Sequence, residues 1–175
     1  MGFILGTLKL ADFPSMLVSS AKVNGIILPI IAFSLPLAQA LAILGVPQGF
    51  VAAATTVSDE PWVLIAMMVM ILIAAGCVME TTPNIVILAP ILKPLADDIG
   101  MNEIQFSIMM ITALGVGFIT PPLGLNLFVV SGLTGESILK IAYRAVPFVL
   151  FMLIVTLFIA YVPTISTVLL PDIYK

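Results

Sequence analysis

The sequence predicts an all-α integral membrane protein, in which transmembrane helices are combined with a re-entrant helical hairpin and a discontinuous helix. Three observations support this class. Apolar residues make up 62% of the chain, charged residues make up 9%, and the mean hydropathy is +1.29, which leaves too little polar surface for a soluble domain of 175 residues. Two Thr-Pro steps, Thr82-Pro83 and Thr120-Pro121-Pro122, interrupt apolar stretches. The few charged residues gather at the ends of the apolar runs.

Composition also limits the functional classes. The net charge of −3 gives no support for nucleic-acid binding. An intramembrane enzyme would need paired acids, a nucleophile with its base, or a metal cluster, whereas the chain has no histidine and one acid at membrane depth, Glu80. Cys77 is the only cysteine, so a packed structural role is expected for it. The N-terminal run lacks the charged start and the cleavage site of a signal peptide.

The N-terminal third predicts one membrane crossing. Residues 10 to 20 are mildly amphipathic and are expected to lie along one membrane face. Residues 23 to 44 carry no charge, and at about 1.5 Å per residue they reach about 30 Å, enough to cross the hydrocarbon core. Gly45-Val46-Pro47 ends this helix, and residues 48 to 58 form a short, weakly apolar connector.

The next segment predicts a re-entrant hairpin over residues 62 to 98. Asp59-Glu60-Pro61 is a helix-start signal, and residues 62 to 79 are apolar. They lead into a polar turn at residues 80 to 84, which would lie in mid-membrane. A helix break at this depth leaves backbone groups without partners at considerable cost, so such a break is expected only where it binds a ligand.

The returning leg of this hairpin is predicted to be short. Only about a dozen residues separate the polar turn from Asp97-Asp98, too few for a crossing. Pro90 and Pro94 fit a short, irregular helix buried in protein better than a lipid-facing span. The chain is therefore expected to leave the membrane by the face at which it entered.

A discontinuous helix is predicted over residues 104 to 133, with its break at Thr120 to Gly124. Threonine is a good N-cap and proline suits the first helical turn, so each Thr-Pro step predicts the start of a half-helix. Residues 136 to 144 form an amphipathic, basic linker, and residues 145 to 163 form the last span. A polar tail follows.

Charge placement supports this topology, because lysine and arginine favour the cytoplasmic side. The cations predicted on that side are Lys9, Lys22, Lys140 and Arg144. The residues predicted on the opposite side are Asp59, Glu60, Asp97, Asp98, Glu103 and Asp172, with Lys175 as the basic exception. Lys93 lies one turn before Asp97 and can extend outward. The hairpin is therefore predicted to open to the outside, and the C-terminus to be external.

The polar residues at the two breaks have two possible roles. Glu80 is a functional candidate because it is ionisable at membrane depth, although it could also be protonated or only accept bonds from backbone N–H groups. The other candidates could act as ligands or could simply cap helix ends, and they are Thr81, Thr82, Asn84, Thr120 and Asn126.

The breaks permit both cation and anion binding. Unwound carbonyls, threonine hydroxyls and asparagine oxygens supply the hard oxygen ligands that sodium needs. The N-termini of half-helices present N–H groups and positive dipole ends to a carboxylate. Paired broken segments of this kind indicate the ion and substrate site of a secondary transporter.

Three strings give the chain a family resemblance. They are METTPNIVILAPILKPLADDIGMN at 79–102, GVGFITPPLGLNLFVVSG at 115–132, and ILKIAYRAVPF at 138–148. They closely resemble the C-terminal half of the large membrane subunit of tripartite ATP-independent periplasmic (TRAP) transporters. The likeness extends from about Leu10 to Pro171, and TPPLGLNLF is its most distinctive part.

The resemblance implies a sodium-coupled importer of carboxylate-bearing solutes, of the C4-dicarboxylate or sialic-acid type, in the inner membrane of a bacterium or archaeon. Its implied partners are a periplasmic substrate-binding protein and a small membrane subunit. Sodium serves as the coupling ion, and no other cofactor is implied. Transport by an elevator mechanism is also implied, in which a domain carrying two hairpins slides against a fixed scaffold.

By this analogy the chain divides into three parts. Residues 1–61 hold the amphipathic arm, a transmembrane helix and the connector. Residues 62–133 are half of the moving domain, with the hairpin 62–98 as the outward-facing gate and the broken helix 104–133. Residues 134–175 hold the linker, the last transmembrane helix and the external tail. The helices at 23–44 and 145–163 are expected to be scaffold or arm elements.

The resemblance also implies site residues. The expected sodium ligands are Thr81, Thr82, Thr120, Gly124 and Asn126. The expected substrate contacts are Thr82, Pro83, Asn84, Pro122 and Asn126. Glu80 is an additional intramembrane acid.

One departure from the family concerns the inverted-repeat partner. Family members carry an N-terminal half with its own hairpin and broken helix, so this chain is expected to be a fragment of a longer subunit or to pair with a separate polypeptide. Two alternatives stay open. One is half of a stand-alone sodium/dicarboxylate carrier, which would need no binding protein, and the other is a non-transporting structural membrane subunit.

Overall fold

A computed structural model describes residues 13–122 and 124–168, which form helices and no strands. The helices are α1 (Phe13–Ile43), α2 (Val46–Val57), α3 (Pro61–Val78), α4 (Thr81–Asp98), α5 (Glu103–Phe118), α6 (Leu125–Thr134), α7 (Ile138–Tyr161) and α8 (Pro163–Thr167). The prediction of an all-helical protein is therefore confirmed for the described residues. The predicted tail and the charges at Lys9, Asp172 and Lys175 lie outside them.

Two of the described helices, α3 and α7, are long and apolar enough to cross a membrane. A third candidate is the pair formed by residues Leu28–Ile43 of α1 and the whole of α2, which is bent by 62° at its break. Helices α5 and α6 are apolar but shorter. Length and composition thus agree with an integral membrane protein of several spans.

The N-terminal third differs from the prediction in two ways. The expected arm and crossing form one helix, α1, which continues through Pro29 and Pro36. Gly25, three residues after Lys22, does not stop the helix, so the two segments join. The expected connector is also helical, because Gly45 adopts a left-handed conformation with φ 72° and Pro47 falls in the first turn of α2.

The segment predicted to be a re-entrant hairpin forms two helices separated by Met79 and Glu80, which we call the first break. The prediction of a short, irregular second leg was wrong. Helix α4 has 18 residues, as many as α3, because it begins at Thr81 and contains Asp97 and Asp98. Pro90 and Pro94 lie within it.

The segment predicted to be a discontinuous helix forms two separate helices. Helix α5 ends at Phe118 and α6 begins at Leu125, and we call residues 119–124 the second break. The last span is longer than predicted, since α7 begins at Ile138 and includes most of the segment expected to be a separate basic linker.

Polar contacts show how α3 and α5 are oriented relative to α7. Gln105 near the start of α5 is 3% exposed, and its Nε2 donates to the carbonyls of Ile159 at 3.2 Å and Ala160 at 2.9 Å. The hydroxyl of Tyr161 donates to the carbonyl of Trp62 at 2.9 Å. The N-terminal ends of α3 and α5 therefore meet the C-terminal end of α7.

Helix α4 returns to this same end of the molecule. Lys93 forms an ion pair with Asp97 in α4 and a second one, at 3.5 Å, with Glu103 at the start of α5. Helices α3 and α4 are thus antiparallel legs of one hairpin. The residues that fill the core between the helices are chiefly Leu64, Met68, Leu72, Leu92, Leu95, Met109, Leu114, Ile159 and Ala160.

Helices α3 and α5 cross with their backbones in contact. A Cβ added to Gly117 would lie 2.3 Å from the carbonyl oxygen of Ile73 and 2.8 Å from the backbone nitrogen of Cys77. A Cβ added to Gly76 would lie 2.6 Å from the carbonyl oxygen of Leu114. Small residues of this kind allow membrane helices to approach closely, and here nothing larger than glycine fits.

We predict that Gly117→Ala forces α3 and α5 apart, because the new methyl group meets backbone atoms that cannot rotate away. The expected loss of stability is about 1–3 kcal/mol, as for other overpacked sites. Thermal unfolding of the detergent-solubilised protein measures it, and a lower unfolding temperature is expected.

Gly132→Ala is the matched control. Gly132 lies in α6, and nothing lies within 4 Å of a Cβ built on it. This variant should unfold at the wild-type temperature or slightly above it, because alanine favours helix. Equal unfolding temperatures for the two variants would contradict the close crossing of α3 and α5.

Candidate functional site

The two helix breaks lie side by side. The crossing at Gly76 and Gly117 sets the C-terminal ends of α3 and α5 against each other. Beyond the crossing, the backbone N–H of Gly124 in the second break donates to the carbonyl of Cys77 at 3.2 Å. This hydrogen bond joins the end of α3 to the start of α6 across about 47 residues of sequence.

Four helix ends therefore meet in one region. The C-terminal ends of α3 and α5 contribute carbonyl groups, and the N-terminal ends of α4 and α6 contribute N–H groups. The last carbonyls and first N–H groups of any helix lack partners within that helix. The region thus combines acceptors for a cation with donors and positive dipole ends for an anion.

The first break differs in detail from the prediction. Glu80, not Thr82, is the N-cap of α4, and its side chain makes no capping hydrogen bond. Thr82 is the second residue of the helix and Pro83 the third, a position whose N–H would have no partner within the helix in any case. The prediction that Thr82 caps α4 was wrong. Glu80, Thr81 and Thr82 are all half-buried.

Asn84 connects the two legs of the hairpin. Its side chain is 2% exposed, and Nδ2 donates to the carbonyls of Ala75 and Met79, each at 3.1 Å. Its backbone N–H donates to the carbonyl of Glu80 at 3.3 Å, the first hydrogen bond of α4. Asn84 therefore belongs to α4 through its backbone and to the end of α3 through its side chain.

The second break also differs from the prediction. The N-cap of α6 is Gly124, with φ 44°, so Thr120 and Pro121 precede the half-helix and do not start it. The hydroxyl of Thr120 instead donates to the carbonyl of Val116 at 2.6 Å, which caps the end of α5. The peptide bond between Pro121 and Pro122 is cis. The prediction that Thr120 caps α6 was wrong.

Gly124 is required at its position for two reasons. Its φ of 44° is one that residues with a side chain rarely adopt. A Cβ there would also lie 2.9 Å from the carbonyl oxygen of Thr120. The Pro-Pro-Leu-Gly string in the sequence already indicated a turn that needs glycine at this position.

The structure brings the predicted site residues to one region, with different degrees of exposure. Gly124, Pro83 and Asn84 are buried, and Thr120 is half-buried with Glu80, Thr81 and Thr82. Pro122 and Asn126 are exposed. The exposed residues belong to the second break and to the first turn of α6, which leaves them accessible to a ligand.

A groove borders the first break on the side of α1. Its volume is about 410 Å³, and its lining is almost entirely apolar. Phe33 and Leu37 of α1 face Met79, Pro83 and Ile87 across it. An open groove therefore separates part of α1 from the hairpin at the level of the break.

Sequence reasoning missed three residues on which the site depends. Neither Gly76 nor Gly117 was predicted to be a crossing point between helices. No sequence motif marks these two glycines, because the crossing joins residues that are far apart in the chain. Gln105 was also missed, because its partners are backbone carbonyls of α7 that no sequence motif marks.

Comparison with known proteins agrees with this architecture. Residues 1–165 match the family described as DctM, the tripartite ATP-independent periplasmic transporter DctM component. The C4-dicarboxylate TRAP transporter large permease protein DctM of Pseudomonas aeruginosa is 32% identical over 95% of this chain and 39% of its own length. The protein of that name from Rhodobacter capsulatus is 34% identical over 95% of this chain and 38% of its own length.

A relative with a different substrate name is also similar. The isethionate TRAP transporter permease protein DctMQ of Oleidesulfovibrio alaskensis is 30% identical over 93% of this chain and 26% of its own length. The chain thus spans about two fifths or less of the relatives it matches. The resemblance inferred from the three sequence strings is confirmed, and the relatives are transport proteins, not enzymes. The chain belongs to the DctM component family of tripartite ATP-independent periplasmic transporters.

Proposed function

We propose that this chain forms one half of the site of a sodium-coupled importer of carboxylate-bearing solutes. The observation that carries the proposal is the meeting of four helix ends, joined by the hydrogen bond between Cys77 and Gly124. Keeping two breaks together inside a membrane is unfavourable unless the exposed backbone groups find partners. A bound cation and a bound anion supply such partners.

The second break offers a sodium ion suitable oxygen atoms. The Thr120 hydroxyl donates its hydrogen to the carbonyl of Val116, so its lone pairs remain free to coordinate a cation. The carbonyls beyond the end of α5 and the side-chain oxygen of exposed Asn126 add to this set. The hydroxyls of Thr81 and Thr82 lie at the neighbouring first break.

The carboxylate is proposed to bind at the N-terminal ends of α4 and α6. Both helices begin in the region of the breaks, so their positive dipole ends lie close together. Thr82 and Pro83 at the first break, and Pro122 and Asn126 at the second, border this region. The inverted-repeat half would complete the site from the opposite side. Relatives named for C4-dicarboxylates favour a solute of that kind over a sialic acid.

The packing supports a hairpin that ends in mid-membrane. A Cβ built on Gly115, beside the second break, would lie 3.7 Å from Cε of Met152 in α7. Fourteen residues of α7 precede Met152, and α5 ends three residues after Gly115, so α7 continues beyond the breaks by about 15 Å. Helix α6 covers part of this distance, whereas both legs of the hairpin stop at the first break. Although α3 is long enough to cross, its end therefore lies level with the middle of α7.

The same contacts suggest which helices move together in an elevator mechanism. Gln105 and Tyr161 tie α7 to α5 and α3, and Ile159 and Ala160 share their core. We therefore place α7 in the moving body with the hairpin and the broken helix, instead of in the scaffold as the sequence suggested. The open groove between α1 and the hairpin is consistent with a sliding boundary between the moving body and the scaffold.

The full assembly would include the small membrane subunit and a periplasmic substrate-binding protein, in the inner membrane. Its orientation is proposed from charge. Asp97, Asp98 and Glu103 lie at the end where α4 meets α5, and Lys140 and Arg144 lie at the start of α7, at the opposite end. Since cations favour the cytoplasmic side, the hairpin would open outward and the C-terminus would be external.

We predict that Thr120→Val and Asn126→Leu raise the sodium concentration needed for half-maximal uptake by about tenfold, because each removes an oxygen ligand from a desolvated ion. Sodium-dependent uptake by the reconstituted transporter, with binding protein and small subunit present, measures this.

Thr134→Val is the matched control for Thr120→Val. The Thr134 hydroxyl donates to the carbonyl of Val130 at 2.7 Å, the same local bond that Thr120 makes, but it lies at the far end of α6. Its replacement should leave the sodium requirement unchanged. If sodium dependence stays at the wild-type value in Thr120→Val and Asn126→Leu alike, neither residue belongs to the ion site.

We predict that a cysteine at Asp98 is labelled by a membrane-impermeant thiol reagent from outside intact cells, and that a cysteine at Lys140 is not. Both variants are made with Cys77, and any cysteines elsewhere in the subunit, replaced. Permeabilised cells should label both positions, which controls for access. The reverse pattern in intact cells would overturn the proposed orientation.

A further inference from the structure

We propose that Asn84 is a positioning residue that holds the end of α3 in the geometry the ion site needs, and not a ligand of the substrate. The inference rests on the proposed sodium-coupled function and adds to it a role for one buried side chain. It differs from the sequence-based expectation, in which Asn84 contacts the solute.

The side-chain nitrogen of Asn84 is the atom that makes its side-chain hydrogen bonds. Both partners of the side-chain nitrogen are carbonyl oxygens, those of Ala75 and Met79. An NH₂ group has two hydrogens to donate, and these two bonds use both of them. With the side chain 2% exposed, the amide nitrogen has no donor left for a solute.

The two carbonyls lie on either side of the residue that joins the breaks. Ala75 and Met79 are one helical turn apart, and Cys77 lies between them. The carbonyl of Cys77 accepts the N–H of Gly124. By fixing the last turn of α3 from both sides, Asn84 also fixes the height and direction of the Cys77 carbonyl.

The end of α3 needs this support because its own backbone bonds run out there. The carbonyl of Ala75 accepts the N–H of Met79 at 2.9 Å, the final bond of the helix. The carbonyl of Met79 lies beyond that bond and has no partner within the helix. Asn84 supplies it from the first turn of α4, so the hairpin closes on itself.

Asn84→Asp tests the proposal through its response to pH. An ionised carboxylate has no hydrogen to donate and would face two carbonyl oxygens, whereas a protonated carboxyl can donate one hydrogen bond. We expect the sodium dissociation constant of the purified subunit to rise about tenfold relative to wild type at about pH 9. The ratio of the variant's sodium dissociation constant to that of wild type should fall toward one as the pH is lowered to about 6.5.

Asn126→Asp provides a comparison of opposite sign. Asn126 is exposed and is proposed to coordinate sodium through its oxygen, so an aspartate there is ionised throughout this pH range and should tighten sodium binding relative to wild type at both pH values. If Asn84→Asp behaves in the same way, or matches wild type at both pH values, Asn84 does not act as a positioning residue.

A second measurement does not depend on sodium. In Asn84→Leu, which keeps the size of the side chain but removes both donors, hydrogen exchange at the backbone N–H of Met79 should be faster than in wild type, while exchange in the first half of α3 stays the same. Unchanged exchange at Met79 would overturn the proposal. If wild type binds no sodium but Asn84→Leu shows the faster exchange, the proposed function fails and the positioning role of Asn84 is supported.

Discussion

The contact between Gly76 and Gly117 is the constraint on which the rest of the structure depends. It brings the backbones of α3 and α5 together at their C-terminal ends, with no space for a Cβ on either residue. Because both helices break directly after this crossing, the two breaks must lie side by side. A wider crossing would separate them, and the hydrogen bond between Cys77 and Gly124 could not form. Packing of two glycines thus determines where the candidate site lies.

Some of the backbone groups that the breaks free find partners within the chain. The Asn84 side chain donates to carbonyls at the end of α3, and the Thr120 hydroxyl donates to a carbonyl at the end of α5. The backbone N–H of Gly124 donates to the carbonyl of Cys77. Each bond uses a polar side chain or a glycine conformation in place of water, which a membrane interior lacks. The groups left over are the carbonyls and N–H groups that face the region between the four helix ends. These are the groups proposed to bind sodium and the carboxylate.

Much of the fold could be predicted from the sequence because the signals were local. Proline, glycine and charge mark where helices end, so both breaks and the start of α3 were found correctly. The caps were predicted wrongly, because Glu80 and Gly124 start the half-helices in place of the threonines. A threonine next to a proline can serve the preceding helix as well as the following one, as Thr120 does. Only the packing of that preceding helix decides between the two.

The non-local part of the site could not be predicted. Asn84 was found as a polar residue at the break, but its partners depend on how α3 and α4 pack. The same holds for Gln105, which connects α5 with α7. The sequence predicts which polar residues lie at membrane depth. How the helices cross determines which of these residues can face a ligand and which form hydrogen bonds to the backbone.

The central claim is that the two breaks serve a single ion site, and a double-mutant cycle on sodium binding tests it most directly. Equilibrium binding of radioactive sodium would be measured for wild type, Thr82→Val beside the first break, Thr120→Val in the second break, and the double variant. If both residues serve one site, their effects are coupled, and the double variant should lose little more affinity than the weaker-binding single variant. Two losses of affinity that simply multiply would contradict the account, because they would mean that the breaks act independently.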